Sequence, residues 1–322
     1  MSYQREKKVA IAAVTAAANL CQQVRQEQGS QPMTKADSSP VTIADFGAQA
    51  IICQALAESF PADSVVGEED SAMLRSPSHQ EQLAQVTKYV QAQIAGATSE
   101  AVRTWIDRGN GEVATRYWTL DPIDGTKGYI RGDQYAIALA LVEEGDLKLG
   151  ILGCPALLVN PTKPDGERGV LFVAVRGEGT VMMPLNRGEV KKIQVTDSQR
   201  VAEGVEPGHG NQAVQEAVVK AVGLTAPSVR IDSQAKYGVV ARGEAALYIR
   251  LPSLQSPNKK QNIWDHAAGA IVVEEAGGKV TDMLGKPLDF ACGSKLYNNQ
   301  GIVASNGVIH QAVLVAVTER LG

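Results

Sequence analysis

Apolar residues at helical spacing open the chain. Val9, Ala13, Ala16, Leu20 and Val24 fall on one face and predict an amphipathic helix over roughly residues 4–28. A second helical period covers 44–60, opening after Pro40-Val41-Thr42, and a third lies near 81–98, beyond the polar segment Ser71 to Gln80. From Tyr117 the pattern changes. Residues 117–121, 135–142, 147–154 and 169–183 are apolar or β-branched and bounded by Gly, Pro and Asp, which predicts strands. The turn-rich run from Asn160 to Gly169 separates the last two. The first half therefore reads as helices packed on a mostly antiparallel sheet. Beyond Gln194 to Ser198, helix and strand alternate, with helices at 211–222, 234–242, 265–276 and 308–320 and strands at 229–232, 245–251 and near 279–282. That alternation predicts α/β packing. It places a boundary near residue 195, between an N-terminal α+β domain (1–195) and a C-terminal α/β domain (196–322).

Length agrees, since 322 residues at ~150 per domain suggest about two. A chain that is 44% hydrophobic and 20% charged is neither disordered nor fibrous. Lys+Arg (31) nearly balance Asp+Glu (35), a net charge of −4, which argues against life on a nucleic-acid or lipid surface. Aromatic residues make up only 5%, too few for a base-stacking platform. Any phosphate must then be met locally, by a small-molecule site. Cys21, Cys53, Cys154 and Cys292 have no paired spacing, which argues against a zinc site or disulfide framework and for a reducing compartment, the cytoplasm. Arg5, Lys7 and Lys8 before the stretch Val9 to Leu20 mimic a secretion signal. The stretch is mostly Ala, however, with Thr15 and Asn19 inside it, and reads as the first helix. No run approaches the ~18 apolar residues of a membrane span.

The most informative segment is Trp118-Thr-Leu-Asp121-Pro-Ile-Asp124-Gly-Thr126-Lys-Gly128. A strand runs into Pro and Gly with two carboxylates at its C-terminal end. In a sharp strand-to-helix turn, Asp121, Asp124 and the Ile123 carbonyl can face one point, the all-oxygen environment that Mg²⁺ prefers. Gly125 allows close backbone approach, and the Gly125 and Thr126 amides offer a phosphate cradle. The same residues also suit an Asx turn that only caps backbone amides. Val65-Val66-Gly67-Glu68-Glu69-Asp70 supplies further acids after a short apolar strand, where a solvated acidic turn is the plain alternative. Trp264-Asp265-His266-Ala-Ala-Gly269 begins a helix, with Asp265 placed as its N-cap and His266 as a structural helix-start residue.

Asp-Pro-Ile-Asp-Gly-Thr, Gly-Glu-Glu and Trp-Asp-His-Ala-Ala-Gly, in this order, resemble the inositol monophosphatase superfamily of Mg²⁺-dependent, lithium-sensitive phosphatases. Ser39 to Asp45, Tyr129-Ile-Arg-Gly-Asp-Gln-Tyr135, Gly153-Cys-Pro155 and Asp232-Ser-Gln-Ala-Lys-Tyr237 resemble its 3′(2′),5′-bisphosphate nucleotidase branch. The likeness spans residues ~5 to 320, loosely over 71–116. It implies a five-layer αβαβα sandwich and hydrolysis of adenosine 3′,5′-bisphosphate to AMP, or of its sulfated analogue, in sulfur metabolism. It also implies two or three Mg²⁺ held by Glu68, Asp121, Ile123, Asp124 and Asp265. Asp45 and Thr126 match the pair that deprotonates water, while Gly125, Thr126, His209, Ser233, Lys236, Arg250 and Asp265 match substrate contacts. Lys236 and Arg250 suit the uncleaved phosphate, Arg as a bidentate fork. Ser233 equally suits a helix N-cap. The connection from Leu251 to Asn262 is longer than the family's usual one, so Lys259 or Lys260 is an alternative to Arg250. Rival readings are an inositol-phosphate or fructose-bisphosphate phosphatase on the same metal core, and a non-catalytic nucleotide sensor. The sensor should lack one of these acids or Thr126, and none is missing.

Overall fold

The computed structural model describes residues 2–28, 32–35, 39–205, 211–253 and 255–321. Its first half holds α1 (Gln4–Gln28), β1 (Met33–Thr34), β2 (Pro40–Val41), α2 (Ile43–Ser59), β3 (Ser64–Gly67), α3 (Gln80–Gln93), α4 (Ser99–Asp107), β4 (Arg116–Asp124) and α5 (Thr126–Arg131). Strands β5 (Ala136–Glu143), β6 (Asp146–Leu158), β7 (Arg168–Val175), β8 (Gly179–Pro184) and β9 (Lys191–Ile193) follow. Then come β10 (Val201–Glu203), α6 (Gln212–Ala221), β11 (Val229–Arg230), α7 (Ala235–Ala241), β12 (Leu247–Arg250), α8 (Ala267–Glu275), β13 (Lys279–Thr281), β14 (Ile302–Ser305) and α9 (His310–Leu321).

Two sheets organise these elements. Strands β3 to β9 form a seven-stranded sheet in sequence order, antiparallel except for the parallel pair β3–β4. The five-stranded sheet runs β11-β10-β12-β14-β13, parallel about β10 and antiparallel about β14. Alternation along β5 shows how the layers stack. Ile137, Leu139 and Leu141 point into one core with α1 and α2, whereas Ala136, Ala138, Ala140 and Val142 point into another with α7 and α8. Helices α7 and α8 touch the second sheet through Tyr248, Ile302 and Ala304, and that sheet's far face (Leu247, Ile249, Val303) is covered by α6 and α9. The order is helix, sheet, helix, sheet, helix, the five-layer sandwich expected from the resemblance.

Helix α2 is nearly all apolar because it lies between α1 and the sheet, with Ile43 to Cys53 buried throughout. Its start is a capping box, in which Thr42 Oγ accepts the Ala44 amide at 3.2 Å and the Asp45 carboxylate accepts the Thr42 amide at 2.8 Å. Several expected boundaries move. The helix expected at 81–98 ends at Gln93, because Gly96 turns at φ +79° and Thr98 caps a separate helix, α4. The apolar run 169–183 folds back as the hairpin β7–β8. Strand β14 (Ile302–Ser305) is three apolar residues and a buried serine, too short for an alternation to show in the sequence.

Candidate active site

β4 is buried along its length and reaches the seam between the layers at Asp121 to Asp124, where its register against β5 shifts by a bulge. Gly125 then adopts φ +85° and α5 begins. A Cβ at Gly125 would lie 2.9 Å from Ser233 Cβ, so the turn needs glycine both for its conformation and for contact with the chain before α7. Asp121 Oδ1 accepts the Ile123 amide at 3.1 Å, the Asx turn anticipated as the plain alternative. Asp124 instead reaches across the seam to accept the Gln234 amide at 2.5 Å.

A cavity of about 250 Å³ opens there. One wall carries Glu68, Asp124, Gly125, Thr126, Lys127 and Arg131, the other Ser233, Lys236, Tyr248, Arg250 and Asp265. Asp121 lies behind this surface, 1% exposed. Burial, with repulsion from neighbouring carboxylates, raises Asp121, Asp124 and Asp265 above the usual carboxylate range. For Asp121 the causes are burial, then Glu68, Asp124 and Asp265. Burial pushes Asp265 up to about 7, with Asp124 and Glu68 adding and Arg250 opposing. Asp124 is also raised by burial, against the pull of Lys236 and Arg250.

This donor set suits a hard divalent cation. Every donor is an oxygen, and the carboxylates resist ionising together without positive charge among them. Among the described residues, no three His, Cys, Asp or Glu side chains close around one point. An open arrangement is what Mg²⁺ takes, since it keeps waters and substrate phosphates rather than entering an all-protein cage.

Thr126 and Asp45 come together at the base of the turn. Thr126 Oγ lies 3.3 Å from Asp45 Oδ1 and 3.1 Å from the Ile123 carbonyl, and its single proton can go to either acceptor. Asp45 is fully buried, and burial pushes its carboxyl up to about 6 against the lowering effect of the Thr42 hydrogen bonds, with Glu68 adding to the rise. Thr42 donates both its amide (2.8 Å) and its hydroxyl (2.6 Å) to Asp45 Oδ2, leaving Oδ1 for Thr126.

On the opposite wall, Lys236 stands 5.2 Å over the Tyr248 ring and donates to the Ile231 carbonyl at 3.4 Å. Burial lowers its pKa to about 8, with Asp124 opposing. Ser233 Oγ accepts the Ala235 amide at 3.2 Å and the residue lines the cavity, but Gln234 rather than Ser233 holds the N-cap position of α7. Asp265 does not cap α8 as expected. His266 holds the N-cap position without a side-chain cap bond, its Nδ1 engaged at 2.8 Å by the Tyr237 hydroxyl, and Asp265 is free to face the cavity. Lys260 is committed to the Asn299 carbonyl at 3.0 Å, and it and Lys259 line a separate small cavity. Arg250, not this lysine pair, faces the site. His209 lies outside the described residues.

Two participants were not anticipated. Lys35, between β1 and β2, donates to Glu68 at 3.2 Å and Glu69 at 2.5 Å, bringing a positive charge beside the acids. Arg131 pairs with Asp232 across the seam. Neither shows in a periodicity, because each interaction depends on the fold to bring its partners together.

A layered sandwich with Asp121 and Asp124 at the C-terminal end of β4, and with Glu68, Asp265, Lys236 and Arg250 lining the cavity beside them, defines a metal-dependent phosphatase. Residues 3–321 match the inositol monophosphatase family, and the chain belongs to that family. It is 42% identical over 341 residues to the 3′(2′),5′-bisphosphate nucleotidase of Schizosaccharomyces pombe, covering 98% of this chain and 96% of the relative. It is 40% identical over 343 residues to the enzyme of that name from Oryza sativa, covering 99% and 95%. Among solved structures, the Thermotoga maritima IMPase superposes with a TM-score of 0.65 at 23% identity, over 97% of this chain and 96% of that one. The inositol monophosphatase of Anabaena (Nostoc) does so with a TM-score of 0.64 at 21% identity, over 99% and 97%. At those identities the superpositions speak for the fold.

Proposed function

We propose that the protein hydrolyses one phosphate of a 3′(2′),5′-bisphosphate nucleotide, with adenosine 3′,5′-bisphosphate giving AMP and phosphate, and accepts its sulfated analogue. The carrying observation is that one cavity gathers Glu68, Asp124, Asp265 and Thr126 together with the cations Lys236 and Arg250. A ligand with two phosphates matches both sets of groups at once. The named relatives support the same substrate class.

Glu68, Asp121, Asp124, Asp265 and the Ile123 carbonyl would hold two or three Mg²⁺. Bound there, Mg²⁺ supplies charge neutralisation for the phosphoryl group and acidifies water. The chain's own part is to move a proton. Thr126 Oγ takes one from the attacking water as its own passes to Asp45 Oδ1, the acceptor left open by the two Thr42 bonds. This route is available only when the Thr126 hydroxyl points to Asp45 rather than to the Ile123 carbonyl. Lys236 and Arg250 hold the uncleaved phosphate, Arg250 through a fork of donors. Gly125 lets the ligand approach the backbone of the turn.

Free thiols at all four cysteines and the absence, among the described residues, of a helix long and apolar enough to cross a membrane support a cytoplasmic setting. The test is phosphate release from adenosine 3′,5′-bisphosphate, AMP, inositol 1-phosphate and fructose 1,6-bisphosphate, with Mg²⁺, with EDTA and with lithium. Preference for the nucleotide bisphosphate, abolished by EDTA, is expected. Preference for the inositol or fructose phosphate would keep the metal core and overturn the roles of Lys236 and Arg250.

A further inference from the structure

The rim of the cavity between α5 and the chain before α7 carries an ion pair with no part in the chemistry above. Arg131 ends α5 as a fork. Its Nε donates to Asp133 Oδ2 at 3.1 Å, and its Nη2 donates to Asp232 Oδ2, 101 residues away. Asp232 is 9% exposed, and its other oxygen accepts the Val205 amide at 3.3 Å. One carboxylate thus ties together α5, the chain leaving β10 and the loop that carries Ser233. Both Arg131 and Asp232 line the cavity.

The neighbouring backbone depends on being held. Ser233 sits at φ +67°, a left-handed conformation unfavourable for a residue with a Cβ. The segments it joins are in contact: a Cβ on Gly128 would lie 3.0 Å from Asp232 Oδ2. Charge matters too. An unpaired Asp232 would put a bare carboxylate on the wall of a cavity that takes a polyanion, and Arg131 neutralises it.

We propose that the Arg131–Asp232 pair is a positioning clasp that sets affinity for the two-phosphate nucleotide. It fixes the wall bearing Ser233 and Lys236 relative to the wall bearing Thr126, and it masks the Asp232 charge. This deepens the function proposed above and rests on it. Both residues act through their neighbours, so the effect falls on binding more than on bond cleavage.

The test is steady-state kinetics of the Mg²⁺-loaded full chain on adenosine 3′,5′-bisphosphate, with AMP and inorganic phosphate as product inhibitors. Arg131→Met, which keeps the stem and exposes the Asp232 charge, is expected to raise KM about tenfold with kcat within about threefold. The inhibition constant of AMP should rise in parallel while that of inorganic phosphate, which needs only the cleaving wall, stays put. Adding Asp232→Asn to Arg131→Met should recover the part of the loss that comes from the bare charge, while the part that comes from the broken tie between the walls remains. A merely structural role would not give that recovery. The proposal is overturned if kcat falls while KM holds, if the double variant is no better than Arg131→Met, or if phosphate inhibition weakens as much as AMP inhibition. Should Arg131→Met fail to fold, Arg131→Lys makes the same comparison, with a smaller rise in KM expected and an unchanged KM counting against the clasp. A wild-type chain that does not turn over the bisphosphate at all would instead sink the nucleotide reading itself.

Discussion

Asp124 and Gln234 stand 110 residues apart, yet the Gln234 amide donates to Asp124 Oδ2 at 2.5 Å. One carboxylate therefore faces the proposed metal site and also pins the start of α7 to the end of β4. The two jobs separate by mutation. Asp124→Asn keeps an oxygen for the amide and removes the charge, so activity should fall at least about a hundredfold with little change in the melting midpoint. Asp124→Ala leaves the amide unsatisfied and should cost about 1–3 kcal/mol of stability as well. Phosphate release and thermal melts on the two variants check this.

Thr126 and Asp45 should behave as a unit. Thr126→Val preserves shape, removes the proton carrier and is expected to lower kcat by about 10²–10⁴. Asp45→Asn should cost a similar factor, and the double variant little more than either single one. Additive losses in kcat would show that the two residues do not share one proton path.

Metal-free protein should lose stability as pH rises. The folded-state pKa of Asp45 is raised to about 6 and that of Asp265 to about 7, each from an ordinary value of 3.8. Between those limits the folded state binds more protons than the unfolded one. The stability these groups contribute is fully present below 3.8 and is lost as pH rises through about 6 and about 7. Mg²⁺ favours the ionised carboxylates of the folded form, so the melting shift it produces should grow over the same window. Melting curves in EDTA and in Mg²⁺, from pH 4 to 8, make the measurement.

Lys236 should impose an upper pH limit on nucleotide binding. Burial brings its pKa to about 8, so above that the anchor for an anion loses its charge. AMP affinity is expected to fall as pH rises through about 8. Lys236→Arg, which stays charged, should move the fall to higher pH. An unchanged pH profile in the variant would assign the limit to another group.

Much of the fold was legible because its periodicities are local. The helical stripe of α1, the buried run of β4 and the Pro-Gly turn after it can be read from neighbouring residues. The acids of that turn could be read as a metal-binding set because Asp121, Ile123 and Asp124 lie within four residues. Misreadings arose where tertiary contacts decide. Asp265 looks like an N-cap by position, yet His266 takes that place because Tyr237 holds its ring. Lys35 and the Arg131–Asp232 pair join segments whose meeting no spacing encodes.

Packing between α7 and α8 can be tested directly. A Cβ on Gly269 would lie 2.2 Å from Tyr237 Cδ2. Gly269→Ala should therefore displace the tyrosine and destabilise the fold by about 1–3 kcal/mol. Activity should drop too, because Tyr237 supports the residue beside Asp265. A melt matching wild type would show that the two helices slide apart freely.

The unequal faces of β5 reach further than the core they fill. Its alanine side, with Gly150 of β6 opposite Ile271 of α8, lets α8 settle directly onto the sheet; a Cβ on Gly150 would come within 2.3 Å of Ile271 Cγ2. Asp265 lies just ahead of α8, and Asp124 ends the strand beside β5. Methyl groups that never meet a ligand thus act as shims. Adding or removing one would retune the gap across which the acids face each other, adjusting which cations and phosphates fit without changing any residue of the site.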